Sequence, residues 1–117
     1  MENINSVCYV AIIDVIQKIE GADNIEQARI GGWNCIIKKG EYNPGDLVVV
    51  ATTDAIIPFS LSESMNVTNY LRKGGRVRTI KLRGVYSECL IIPFEHTPRP
   101  TIYKEGDDMM KELNIFK

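Results

Sequence analysis

The sequence predicts an all-β fold, a small closed barrel of five short strands with one short helix at the C-terminus. Three observations predict it. Apolar, β-branched runs of strand length recur along the chain, Gly/Pro turn signals separate them, and the first run is much longer than the rest. At 117 residues, 44% hydrophobic and 25% charged, the chain has room for a single core, so residues 1–117 are read as one domain.

The elements follow in order. "VCYVAIIDVIQKIE" is apolar on both faces up to Ile13. Beyond that point Ile13, Val15 and Ile19 share one face and Asp14, Lys18 and Glu20 the other, which predicts a long strand that starts buried and ends half-exposed. "EGADN" breaks it. "IEQARIGGWNCIIKKGE" reads as two strands joined at Gly31-Gly32, a hairpin signal. "NPGD" is a turn, and "LVVVAT" a continuous apolar strand. From Thr53 to Asn69 the pattern dissolves into a long polar connection, which "NYLRKGG" closes with a short helical turn. "RVRTIKLRG" and "VYSECLIIPF" form a strand pair joined at Gly84. Within the first of these, Arg76 and Arg78 share a face with Ile80 and Leu82, whereas Val77 and Thr79 share one with Lys81 and Arg83. The basic side swaps near Thr79, which predicts a bend or bulge. "EHTPRP" reads as a rigid loop. The tail "EGDDMMKELNIF" reads as a helix, with Asp107 and Asp108 at its N-terminus and Met109, Met110 and Leu113 as its apolar stripe. Five strands with a long first one, shared between the two sheets of the barrel, make the OB pattern; periodicity alone leaves an SH3-like barrel open.

Composition excludes several functions. No apolar run approaches a membrane span, and "MENINSVCYV" has no basic n-region ahead of an apolar core, so a cytoplasmic protein without a membrane partner is expected. Cys8, Cys35 and Cys89 lie far apart among apolar neighbours, which suits buried, reduced thiols. With one histidine and no CxxC, no metal site is expected. His96 lies in the Pro-rich loop without a fixed acid or nucleophile beside it, and the chain has neither GxxxxGK[ST] nor GxGxxG.

One feature stands out against this bland background. The chain carries 14 Lys and Arg against 15 Asp and Glu, yet Arg72, Lys73, Arg76, Arg78, Lys81 and Arg83 fall in one stretch with no acid between Glu63 and Glu88. Basic side chains on barrel strands can follow a phosphate backbone, and Tyr70, Tyr86 and Trp33 offer faces for stacking. The same stretch also suits a solvated face or a docking surface for an acidic protein domain, and a pI near 5.8 is low for an independent nucleic-acid binder. Trp33, directly after Gly31-Gly32, reads as a core or barrel-lid aromatic ahead of a stacking platform.

Four segments, "IEGADNIEQARIGGWNCIIKKGEYNPGDLVVV", "TDAIIP", "YLRKGGRVRTIKLRGVYSECLIIP" and "YKEGDDMMKELNI", resemble in that order the N-terminal OB domain of RNA ligases of the Deinococcus type. "RTIKLRGVYS" is the most specific part, and the layout is similar, more weakly, to stand-alone tRNA-binding OB modules. The resemblance implies an RNA-binding accessory domain in RNA repair, with Arg72, Lys73, Arg76, Arg78, Lys81, Arg83 and Ser87 on the nucleic acid. It implies no cofactor in this chain: ATP and a divalent metal belong to a nucleotidyltransferase domain, in cis or in trans. Where the family pattern continues Ser-Gln-Gly-Leu, this chain has Ser87-Glu88-Cys89-Leu90. Adenylylation needs a lysine nucleophile in Lys-x-Asp-Gly, and the nearest match, "KIEG" from Lys18 to Gly21, falls inside the OB segment and reads as a surface lysine ahead of a turn.

Overall fold

A computed structural model describes residues 6–93 and 103–116. The strands are β1 (Cys8–Lys18), β2 (Ile25–Ile30), β3 (Trp33–Lys38), β4 (Leu47–Thr52), β5 (Ile80–Leu82), β6 (Val85–Ser87) and β7 (Cys89–Ile92). The helices are α1 (Phe59–Ser64) and α2 (Met110–Leu113), with a 3₁₀ turn at Thr68–Tyr70. Five strands run in the order β3-β2-β1-β4-β7, and β5 and β6 form a separate hairpin.

The length of β1 makes the barrel possible. Its first half, Cys8 to Ile12, pairs antiparallel with β4, and its second half, Ile13 to Lys18, pairs antiparallel with β2. One strand thus serves both sheets, as expected. The register shifts between Ile13 and Val15, so Asp14 is an extra residue and the inside–outside alternation reverses there. Val15 therefore points outward, 44% exposed, and does not share the face of Ile13. The Asp14 carboxylate accepts from the Gly31 amide at 3.2 Å, which ties the bulge to the β2–β3 turn. That turn has Gly31 and Gly32 at φ 54° and 90°, the two positive angles a two-residue type I′ hairpin requires.

The continuous apolar runs are explained by two cores. Ala11, Ile13, Ala28, Ile30, Cys35, Ile37, Val48, Val50 and Cys89 fill the barrel. Cys8, Val10, Val49, Ala51 and Ile92 point the opposite way from the same strands, into a second cluster with Ala55, Ile57, Val77, Met109, Leu113 and Ile115. β1 and β4 are apolar on both faces because both faces are covered. Trp33 belongs with the barrel side: it packs against the interior cluster and its Nε1 donates to Tyr9 OH at 2.9 Å, so it acts as a lid.

The tail supplies much of the second layer. Its backbone runs beside the start of β1: Val10 N donates to Asp107 O, Gly106 N to Val10 O and Met109 N to Cys8 O, at 2.8–2.9 Å. Met109 is fully buried, and Asn114 ends α2 in the left-handed conformation. Burial pushes the Cys8 thiol up to about 12, with the Asp108 carboxylate adding to the shift.

Three further expectations need correction. The connection after Thr53 is not patternless: Ala55 and Ile57 are buried, and α1 follows Pro58 with Ser62 buried, its hydroxyl bonded to Phe59 O and to Thr68 Oγ1. "RVRTIKLRG" is not one strand. Arg76 and Val77 pair with residues 54–56, and after Thr79 the chain changes partner to join β6, which is the physical origin of the swapped basic side. "VYSECLIIPF" also breaks, at Glu88, into β6 and β7. The expected loop "EHTPRP", with His96, lies outside the described residues. No helix among the described residues is long and apolar enough to cross a membrane.

Because Met109 seals the second core, Met109→Ala is expected to lower stability by about 2–5 kcal/mol, read from urea denaturation at unchanged m-value. A loss below about 0.5 kcal/mol would place the tail outside the cooperative core.

Candidate nucleic-acid interface

The basic residues stand on two projections. The first is the β5–β6 hairpin. Its register pairs Ile80 with Ser87, Lys81 with Tyr86 and Leu82 with Val85. Arg83 and Gly84 take φ 51° and 80°, again a type I′ turn. Gly at the second position is at ease there; Arg83 is held in a left-handed conformation that costs an L-residue about 1–2 kcal/mol. Ile80 and Leu82 face an apolar groove, and Lys81 and Tyr86 face the other way. Lys81 Nζ lies 5.4 Å from the centre of the Tyr86 ring, a cation–π contact that pre-arranges a charge beside an exposed aromatic face. Arg83 leans toward the β1–β2 loop, where a Cβ on Gly21 would stand 3.6 Å from its Nη1.

The second projection is the tight turn from Arg72 to Arg76. Arg72 N donates to Arg76 O at 2.8 Å and Gly75 N to Arg72 O at 2.9 Å, which presents Arg72 and Lys73 to solvent. Gly75 is fixed as glycine, since a Cβ there would collide with the carbonyl oxygen of Ile57. Arg76 is partly spent: Nη1 donates to Asp54 O at 3.2 Å and lies 3.8 Å from Asp54 Oδ1. Arg78 Nε donates to Tyr70 O at 3.3 Å and the side chain stays exposed. Sequence reasoning therefore brought together residues that the fold divides into a turn (Arg72, Lys73, Arg76, with Arg78 beside it) and a hairpin (Lys81, Arg83).

Ser87, grouped with them on resemblance, sits in the seam that closes the barrel. There β3 meets the β6–β7 break without a regular ladder. Asn34 N donates to Glu88 Oε1 at 2.9 Å, and Glu88 N donates back to Asn34 O at 2.7 Å. Ile36 N donates to Ser87 Oγ at 3.1 Å, and Cys35 Sγ to Cys89 O at 3.2 Å. Glu88 thus directs its carboxylate to the backbone of β3. Beside the seam opens an apolar groove of about 550 Å³, with Ile25, Ile36, Met65, Leu71, Ile80 and Leu82 among its walls and Lys38 and Arg78 among its polar lining.

A polar cluster that the sequence reading missed lies on the outer sheet face. Gln27 Nε2 and Arg29 Nη1 donate to Asn34 Oδ1 at 3.0 and 3.3 Å, with Arg29 exposed. The polar-outward alternation of "EQAR" opposite Asn34 was the available signal.

The family model described as an OB-fold domain matches residues 7–94, and the chain belongs to that family. Solved structures of the RNA ligase of Naegleria gruberi share the architecture. A lysine-to-alanine mutant with ATP and Mn matches at TM-score 0.84 and 31% identity, over 95% of this chain and 35% of the ligase. An aspartate-to-alanine apo mutant matches at 0.85 and 30%, over 100% and 36%, and the ligase with PPi at 0.85 and 30%, over 97% and 35%. The chain spans about a third of the length of those ligase chains, consistent with the expected N-terminal OB domain of an RNA ligase. No match is found among curated proteins.

The reciprocal Asn34–Glu88 pair yields a test. Glu88→Gln keeps an acceptor for the Asn34 amide and should change stability by less than about 0.5 kcal/mol. Glu88→Ala leaves that amide without its partner and should cost about 1–3 kcal/mol, measured by chemical denaturation. Equal effects of the two changes would contradict the seam.

Proposed function

We propose that this OB domain binds single-stranded RNA through the β5–β6 hairpin and the Arg72–Arg76 turn. In this reading it is the non-catalytic accessory domain of an ATP-dependent RNA ligase acting in cytoplasmic RNA repair. ATP and a divalent metal are handled by a nucleotidyltransferase domain, in cis or in trans. The observation that carries the reading is the outward face of the hairpin, where Lys81 lies over an exposed Tyr86 next to the Arg83 turn. A base stacked on Tyr86 gains roughly 1–3 kcal/mol while Lys81 and Arg83 reach adjacent phosphates. The likeness to RNA ligases over nearly the whole chain supports the same substrate. A second reading, a docking surface for another protein domain, is favoured by the groove with Leu82 and Tyr70 exposed at its edge.

The division of the basic residues limits the contacts to about three or four phosphates. For a single strand, log K should fall with log salt at a slope of about −2 to −3. Lys81→Ala with Arg83→Asn, the latter chosen because asparagine tolerates the left-handed turn, should weaken binding and flatten the slope by about 1.4. Fluorescence anisotropy of a labelled single-stranded RNA across a salt series decides it. Undetectable binding at low salt, or binding unmoved by the double change, would transfer the surface to the protein-docking reading.

A further inference from the structure

Cys35 and Cys89 face each other where β3 meets β7. Cys35 Sγ donates to Cys89 O at 3.2 Å, and Cys89 Sγ lies 3.9 Å from Asn34 O, so each sulfur reaches the backbone of the other's strand. The two side chains thus sit on facing strands beside the same seam. Both are free and buried, yet both line the groove, which gives a molecule the size of a peroxide a way to them. Neither contributes to the basic surface. Cys8 sits apart, in the second core.

The surroundings make the two sulfurs unequal. The Cys89 side chain draws Cys35 below the ordinary thiol range, and Ser87 and the Ile91 backbone add to this against the cost of burial. Cys89 is pushed up by the Cys35 side chain and by burial. When the pair loses a proton, the charge rests on Cys35.

We propose that Cys35 and Cys89 are a peroxide-sensitive thiol pair whose oxidation to a disulfide locks the barrel seam. The Cys35 thiolate attacks one oxygen of hydrogen peroxide; an S–O bond forms, the O–O bond breaks, and the departing hydroxide takes a proton to leave as water. Cys89 then attacks the sulfenic sulfur, loses its proton and expels the hydroxyl as a second water. Two thiols give up two electrons and one peroxide becomes two waters. A small thiol reductant reverses the bond. The disulfide joins β3 to β7 next to Ser87 and Glu88, so the base of the basic hairpin is fixed to the barrel.

The test is peptide mapping of the whole chain after brief exposure to hydrogen peroxide, with and without a reductant. The expected product is a monomer lighter by two hydrogens, in which tryptic peptides 30–38 and 84–104 are linked. Its melting temperature should be higher by about 10 °C, a gain lost on reduction. Cys8→Ala should form the same internal link as the parent, and Cys35→Ser should show none. Sulfinic acid without a link, a link through Cys8, or a link between chains would each overturn the proposal. The parent chain's map decides the matter even where Cys35→Ser does not fold.

Discussion

The reciprocal hydrogen bonds between Asn34 and Glu88 close a sheet that would otherwise stay open. Four strand pairings carry regular ladders, from β3 through β2, β1 and β4 to β7. The fifth side has none. A free edge on β3 would expose unpaired backbone amides to other chains and leave the barrel core in contact with water. Ser87, Glu88 and Cys89 supply the closure from one short break between strands, each satisfying a group on β3 or bonding across from it. The hairpin, the groove and the thiol pair all take their positions from this seam.

A second constraint acts on the opposite side. The outer face of β1, β4 and β7 is as apolar as the inner one, so a barrel alone would leave it wet. The tail and the segment around Ala55, Ile57 and Val77 cover it, and backbone bonds to Cys8 and Val10 hold the tail in place. The tail is therefore part of the fold, and the basic turn at Arg72–Arg76 is anchored to the same layer through Ile57 and Gly75.

The sequence made much of this legible where local chemistry is strong. Gly31-Gly32 and Gly84 announced their turns, the long first strand announced a shared one, and the tail stripe of Met109 and Leu113 pointed at a core. What it hid was non-local. The bulge at Asp14 reverses the side of Val15 because pairing with β2 demands it, and nothing in the pattern of β1 alone encodes that register. The helix after Pro58 is short and serine-rich, and its buried Ser62 is satisfied in part by Thr68 further on. Glu88 stood out only as a departure from the family pattern because its partner, the Asn34 amide, lies 54 positions away. The phase slip near Thr79 was visible, and its cause, a change of pairing partner, was not.

The seam is a full member of the folded unit and the platform on which the basic hairpin is mounted. Native-state hydrogen exchange tests that directly. The amides of Asn34, Ile36 and Glu88 should open with free energies within about 1 kcal/mol of those of Val49 and Val50 in the central ladder. Exchange of the seam amides at a cost more than about 2 kcal/mol lower, with the ladder still protected, would show a sheet that is open on one side and would contradict the account.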